Sequence, residues 1–337
     1  MPIRRDEGRV IREAVARALH REGRYVIAVS GGIDSMVLVE AIASMPARPF
    51  VFVATFDHAT GPHSVRASRL VRRRAGVLGI ECVVGRSRGH ATTESEWRDE
   101  RWAFLRGAAA SIGGTVVTAH TRDDQVETVF IRILREAGPR GLAGLYAESD
   151  IVRPFVDVGR SDIADFALAN QVRYVDDPSN LSRAHLRNRV RLDLLPAISR
   201  VRAGFPSELL ALSRRASEWR SAVGHAVDAM NIRTEADGSV RIARSALAGY
   251  DADALRTLWP ALAATANIVM DRRGTHRLAE FTMKGRTGAS IQLSGGVEVR
   301  MLRDHLLLGK WDFGRVQRSR RARLEREPHR AFAARNA

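Results

Sequence analysis

Apolar positions change period several times along the chain, and the changes divide it. Ile11, Ala14, Val15, Ala18 and Leu19 share one face of a helix, and a β-branched run over 25–29 follows directly. The alternation then repeats. The pattern predicts a helix over 35–44, a strand over 50–56, a helix over 63–77, a strand over 81–84, a helix over 94–111 and a strand over 115–118. After it, Val126, Val129, Phe130, Ile133 and Leu134 fall at the i, i+3, i+4, i+7, i+8 spacing of a buried helical face. Strands alternating with helices of this length predict an α/β fold built on a doubly wound parallel sheet. In such sheets ligands bind beyond the carboxyl ends of the strands.

Beyond residue 150 the pattern changes. The stretch 150–196 reads as helix and loop, with a turn at Asp176, Asp177, Pro178, Ser179 and Asn180. A lone helix is predicted over 208–230. Short strands are then suggested by "SVRIA", "ASIQLSGGVEVRML" and "HLLLGKW" around a helix over 251–262, the signature of a small α+β domain. The expected organisation is a catalytic domain over 1–206, a linker helix over 207–230, a small domain over 231–312 and a basic tail over 313–337. That tail holds eight arginines against Glu325 and Glu327 with almost no apolar pattern, so it is expected to be mobile.

Composition narrows the function classes. The 337 residues carry a net charge of +16, which favours a polyanionic partner, nucleic acid first, because each neutralised phosphate releases counterions. Genome composition accounts for arginine over lysine, since Lys284 and Lys310 are the only lysines, but not for the excess of base over acid. No apolar signal segment or run of eighteen apolar residues is present, which predicts a cytoplasmic protein without a membrane partner. Cys82 is the single cysteine, so an internal disulfide, a cysteine zinc site and a two-cysteine sulfur relay within the chain are excluded.

The first strand runs into Ser30, Gly31, Gly32, Ile33, Asp34 and Ser35. A loop that leaves a strand and opens a helix offers unpaired N–H groups at the positive end of the helix dipole, and two glycines let a phosphate approach. A Walker nucleotidase is excluded, because no lysine stands before Lys284, and the Rossmann glycine fingerprint is absent. The plain alternative is a strand-to-helix turn capped by Ser and Asp. Farther on, Asp123, Asp124 and Glu127 crowd the first turns of one helix, away from its apolar face. Like charges repel there unless something cationic sits among them; a magnesium-nucleotide site meets that need, and dipole-favoured acids are the structural alternative. Leu186, Val190 and Leu194 form an apolar stripe, with Arg187 and Arg191 on another face, placed to bind phosphates.

The hexapeptide at Ser30 resembles the loop of the PP-loop ATP pyrophosphatase superfamily. With Ala119, His120, Asp123, Asp124, Gln125, Glu127 and Thr128, then Arg140, Gly141, Leu142 and Gly144, the resemblance sharpens to the tRNA(Ile)-lysidine synthetase family. Further elements of that family are echoed by Arg98 and Arg101, by Arg153, Pro154 and Phe155, by Asp177, Pro178, Ser179 and Asn180, by Arg187, Asn188, Arg189 and Arg191, and by Leu194, Leu195 and Pro196. The match covers most of 25–200. It departs where His58, Ala59, Thr60 and Gly61 replace a usual His-Gly-Leu-Arg, where Thr121 replaces a histidine, and where Arg135, Glu136, Ala137 and Gly138 replace Arg-Gly-Ser-Gly.

The resemblance implies magnesium-ATP, free lysine and a tRNA(Ile) with a CAU anticodon as ligands, and lysidine formation through an adenylated wobble cytidine. It implies Ser30, Gly31, Gly32, Ile33, Asp34, Ser35, Asp57, His58 and His120 around the nucleotide, with Asp34 and Asp124 on the metal. Asp34, Asp124, Glu127 and Arg187 would act in catalysis, and Arg98, Arg101, Arg140, Arg187, Asn188 and Arg191 would contact the tRNA substrate. A homodimer is compatible with the sequence. Three rivals stay open: a tRNA thiolation enzyme, which Cys82 alone disfavours; a small-molecule ligase, which leaves the charge without purpose; and a tRNA-binding protein that has lost catalysis.

Overall fold

The computed structural model describes residues 8–310 except 60, 88, 90–92 and 231. The expected basic tail at 313–337 lies outside the described residues. The chain forms two compact units, Met1–Glu218 and Trp219–Ala337.

In the first unit the elements run α1 (Arg9–Ala18), β1 (Arg24–Ala28), α2 (Ile33–Ala43), β2 (Phe50–Asp57), α3 (Pro62–Val77), β3 (Cys82–Arg86), α4 (Glu94–Ser111), β4 (Thr115–Val117), α5 (Arg122–Leu134), α6 (Pro139–Leu142), β5 (Ile151–Val152), α7 (Arg160–Ala169), α8 (Leu186–Arg189), α9 (Leu195–Val201) and α10 (Phe205–Asp228). The strands form one sheet in the order β3-β2-β1-β4-β5, and each neighbouring pair is parallel. The doubly wound α/β fold expected from the sequence is therefore present.

Alternation within the strands sets the two layers. Tyr25, Ile27 and Val29 face a core shared with α1, α2, α3 and α7, where Ile11, Leu38, Val71 and Ile163 are buried. Val26, Ala54 and Val116 face the other way, onto Leu105 and Ala109 of α4. A third cluster joins Val126, Val129 and Phe130 of α5 to Val190, Leu195 and Leu209, and the Phe205 ring meets Phe130 edge to face at 5.9 Å.

The helix predicted as a linker over 207–230 is α10, and the division between the two units falls within it. Its residues up to Glu218 group with the first unit, where Ser213 is fully buried and donates to the Ala143 carbonyl. From Trp219 onward it groups with the second unit, where Val223 and Val227 join the core.

The second unit adds β6 (Arg233–Thr234), β7 (Val240–Ala243), α11 (Ala252–Thr265), α12 (Arg272–Lys284), β8 (Ser290–Leu293), β9 (Val297–Met301) and β10 (His305–Lys310). Its sheet, in the order β6-β7-β10-β9-β8, is antiparallel throughout. Trp259 of α11 is fully buried in its core and keeps its indole N–H satisfied on the Thr282 hydroxyl at 2.9 Å. Among the described residues no helix is long and apolar enough to cross a membrane.

Candidate functional site: the carboxyl edge of the parallel sheet

In the order β3-β2-β1-β4-β5 the chain connections run outward in opposite directions from β1 and β4, the switch point beyond whose carboxyl ends ligands bind in parallel sheets of this kind. Ser30 follows β1, His58 follows β2, Thr118 and His120 follow β4, and Arg153 follows β5. The sequence-predicted residues on these strands therefore converge on one edge.

The Ser30 loop is folded by its own hydroxyls. Ser35 Oγ accepts from the Ser30 N–H at 3.2 Å and donates to the Gly32 carbonyl at 2.9 Å. The Gly31 carbonyl accepts from the Val175 N–H at 2.9 Å. Gly31 has φ of 88°, and a Cβ placed on it would lie 3.0 Å from the Ala67 methyl on α3, so both conformation and space require glycine. Gly32 is the N-cap of α2 and brings no side-chain cap. The first amides of α2 thus keep no intrahelical acceptor, and they form an anion cradle at the positive end of the helix. The alternative of a helix capped by Ser or Asp is not what the loop adopts.

Asp34 sits in the first turn of α2 with Oδ1 buried and without a hydrogen-bond partner among the described residues. Burial, with the nearby Asp124 charge adding to it, pushes its pKa up to about 6. A buried carboxylate oxygen with no donor, beside an anion cradle, suits a cation shared with a phosphate.

The acids on α5 are treated differently. Asp124 Oδ2 accepts from the Thr121 N–H at 2.9 Å and the Thr121 hydroxyl at 3.1 Å, which makes Thr121 the N-cap of a reciprocal capping box. That is what the threonine does where family members carry a histidine. Asp124 Oδ1 takes Arg160 Nη2 at 2.8 Å and Arg191 Nη2 at 3.3 Å. Glu127 is gripped by Arg160 Nη1 at 2.8 Å and by Arg191 at 2.7 and 2.9 Å. Burial alone would raise the Asp124 pKa, but Arg160 and the Thr121 N–H outweigh it and hold the carboxyl below its usual range.

Arginine is the cation that these carboxylates meet in the structure, where Asp124, expected on the metal, has both oxygens engaged by Thr121, Arg160 and Arg191. Among the described residues no cluster of three or more His, Cys, Asp or Glu is arranged to hold a metal. Arg160, at the start of α7, was not singled out from the sequence. Its backbone N–H also donates to Asp123 at 2.9 Å, so one residue ties all three acids to the start of α7.

The remaining predicted residues divide. Arg191 pairs with Glu127 and Asp124. Arg187 is exposed, donates to the Thr128 hydroxyl at 2.9 Å and lies 3.7 Å from Glu127, so it stays at the edge. Asn188 is buried, and its amide donates to the Ser179 and Ser182 carbonyls at 2.8 Å each. The residue expected on the tRNA thus clamps the 179–182 turn. Arg98 is exposed, with its guanidinium 6.0 Å from the Trp102 ring centroid. Arg140 is half-buried on α6. Asp57 is buried and accepts from the Ala59 N–H at 2.9 Å. His58 stacks edge-on against Phe56, and burial lowers its pKa. His120 shares a hydrogen bond of 2.8 Å with the Thr118 hydroxyl, and burial pushes its pKa down to about 4, so the ring is neutral at pH 7.

With this geometry stand the similarities to known proteins. The PP-loop domain family matches residues 7–198. A tRNA(Ile)-lysidine synthase of Methylobacterium sp. is 33% identical over 256 residues, covering 72% of this chain and 74% of that protein. The chain belongs to the PP-loop family and, within it, to the tRNA(Ile)-lysidine synthase family. Its counterpart from Salinispora arenicola is 37% identical over 222 residues, covering 61% of this chain and 66% of that protein. The chain spans less than two thirds of the length of several further family members, 52% and 42% in two cases. In fold the chain is similar to the U34-tRNA thiolase NcsA of Methanococcus maripaludis, with a TM-score of 0.50 at 15% identity over 61% of this chain and 78% of that one.

Proposed function

We propose that the protein is an ATP-dependent ligase that joins lysine to C2 of the wobble cytidine in a tRNA(Ile) with a CAU anticodon, giving lysidine, AMP and pyrophosphate. Family membership supports the reaction class, and the cradle beside the orphaned Asp34 oxygen is the observation that carries it. In the first step the cytidine O2 attacks the α-phosphorus of ATP; an O–P bond forms and pyrophosphate leaves. In the second the neutral lysine amine attacks C2, the C2–O bond breaks, AMP leaves and the amine loses a proton. The chemistry needs AMP because a carbonyl oxygen is a poor leaving group.

In this reading the α2 amides and the Ser30 and Ser35 hydroxyls hold the pyrophosphate end of ATP. Asp34 holds magnesium, which supplies charge neutralisation of the phosphates when bound. The buried Oδ1 without a donor fits that group. Asp124 and Glu127 act instead through the arginines, fixing Arg160 and Arg191 at the edge while Arg187 faces the substrate phosphates. In the second unit, Arg272, Arg273, His276 and Arg277 of α12 border a surface hollow and give the tRNA backbone a basic contact there. A cytoplasmic setting fits such a substrate.

The test is incorporation of labelled lysine into unmodified tRNA(Ile) bearing CAU, with ATP and magnesium, against the same tRNA with U at the wobble position. Label in the first alone, with AMP released, is expected. AMP formation without label in either tRNA would keep the nucleotide chemistry and overturn the substrate.

A further inference from the structure

Several exposed arginines of the first unit have a carboxylate: Arg9 meets Glu13, Arg183 meets Asp193, Arg202 meets Glu208 and Arg214 meets Asp157, at 2.8 to 3.3 Å. The helix α3 differs. Between Asp57 and Glu94 the chain carries seven arginines and a single acid, Glu81. Of the five arginines on α3, Arg74 takes Glu40 of α2, with Nη2 at 2.7 Å from Oε2. Arg66, Arg69, Arg72 and Arg73 are exposed and have no carboxylate partner among the described residues; Arg66 Nη2 donates to His63 Nδ1 at 3.1 Å. Arg66, Arg69 and Arg73 fall at i, i+3 and i+7, a stripe opposite the buried Ser68, Val71 and Ala75. Like charges at that spacing weaken a helix rather than support it. The helix dipole favours cations in the last turn, but Arg66 and Arg69 lie before it, and Arg48 already donates to the Leu78 and Gly79 carbonyls at 3.3 and 3.4 Å.

The stripe has a definite place relative to the sheet. β2 and β3 are parallel, so the helix between them runs from their carboxyl ends back to their amino ends. Ala67 is the residue whose methyl bars a Cβ at Gly31, so the stripe opens beside the Ser30 loop and extends about 10 Å along the helix over seven residues. We propose that Arg66, Arg69 and Arg73 form a phosphate track that holds the backbone of the anticodon stem as it leaves the catalytic edge, an inference that rests on a tRNA being the substrate. Three guanidiniums spread over that length do not converge on one phosphate group; a chain of phosphates meets them in turn. Unlike Arg101 of α4, whose Nε is buried without a hydrogen-bond partner among the described residues, these side chains stand in solvent, where a nucleic-acid backbone reaches them. Contacts of this kind carry no sequence information. They fix the stem so that a loop nucleotide arrives at the phosphate loop, and they leave the choice of base to the edge itself.

The experiment measures binding of the full chain to unmodified tRNA(Ile) bearing CAU, and to its isolated anticodon stem-loop, over a series of salt concentrations. The triple variant Arg66→Gln, Arg69→Gln, Arg73→Gln is expected to reduce the slope of log affinity against log salt by roughly 2 to 3 for both RNAs. Its KM for tRNA should rise by about tenfold or more, with kcat and the KM for ATP unchanged and Tm retained, because all three side chains are exposed. A control, Arg9→Gln, Arg17→Gln, Arg21→Gln, removes the same charge from and beside α1 and should move the slope by less than about 0.5, since distant exposed charges are screened. An unchanged slope in the α3 variant overturns the proposal. Equal losses in the two variants assign the effect to overall charge and overturn it as well. A slope reduced with whole tRNA but not with the stem-loop puts the stripe on another arm and rejects the stem placement. A wild type that binds both RNAs with a steep slope yet transfers no lysine removes the ligase reading and leaves the track standing, whereas a wild type without a steep slope removes the track itself.

Discussion

Asp34 and the Asp124–Glu127 pair border the same sheet edge and are handled in opposite ways. The α5 acids are matched by Arg160 and Arg191 at 2.7 to 3.3 Å, and Asp124 is held below its usual pKa range. Asp34 has a buried oxygen with no donor and a pKa pushed up to about 6. The lesson is that crowding of acids along a sequence does not mark where a cation is missing. The crowded set has drawn side-chain cations, while Asp34 beside the loop keeps one buried oxygen without a donor among the described residues.

The largest expected effect separates the two directly. Asp34→Asn should lower AMP formation by about 10²- to 10³-fold, the scale of removing one preorganised electrostatic contact. It should also stabilise the ligand-free protein above pH 6, by on the order of 2 kcal/mol. The sign follows from the raised folded-state pKa. Between about pH 4 and 6 the native state binds more protons at Asp34 than the unfolded chain does, so stability falls as pH rises through that window and the deficit is complete above it. Urea denaturation of both proteins at pH 5 and 7.5 reads the effect. An Asp34→Asn variant less stable than wild type at pH 7.5 would show that the carboxylate is paired after all.

Arg160→Met attacks the other half of the comparison. Removing one partner leaves Glu127, with a side chain only 2% exposed, dependent on Arg191 and the exposed Arg187. A loss of about 3 kcal/mol is expected near neutral pH. Asp124, whose folded-state pKa is lowered, contributes stability above the ordinary carboxylate range and loses it as pH falls through its folded value. The Arg160→Met penalty should therefore shrink in acid, opposite in trend to the Asp34 effect. A penalty that stays constant down to pH 3 would mean that Arg160 acts through packing alone.

How these arrangements were written in the sequence differs with their range. The period of apolar positions predicted β1 through β4 and their helices, because each strand alternates against two layers and each helix buries one stripe. The two-residue β5 was not legible, since a strand that short has no period, and α12 was missed among its arginines. Ser30 to Ser35 could be recognised because their bonds are local, within five residues. Arg160 could not, because it meets Asp124 and Glu127 across more than thirty positions; its signal was only the charge that three crowded acids demand. Asn188 sits in an arginine-rich run that suggests RNA, yet its amide turns inward to carbonyls that the sequence leaves unmarked.

Asp57 is the intermediate case and the subject of the smallest prediction. It is buried, which would raise its pKa, but hydrogen bonds from Ser64 and the Ala59 N–H bring it below the usual value. That backbone contact requires Ala59 at φ of 57°, where the resembled family usually carries glycine. Glu136, at φ of 54° just past the end of α5, is the second departure of the same kind. A left-handed L-residue costs about 1 to 2 kcal/mol, and glycine returns about 0.4 to 1 kcal/mol of that as unfolded-state freedom. Ala59→Gly and Glu136→Gly should each stabilise by roughly 0.5 to 1 kcal/mol, read as a rise in Tm. If Ala59→Gly lowers Tm while Glu136→Gly raises it, the Ala59 methyl group is holding the turn that satisfies Asp57. The acid would then depend on side-chain packing as well as on the backbone N–H, which would move it toward the Asp124 pattern and away from that of Asp34.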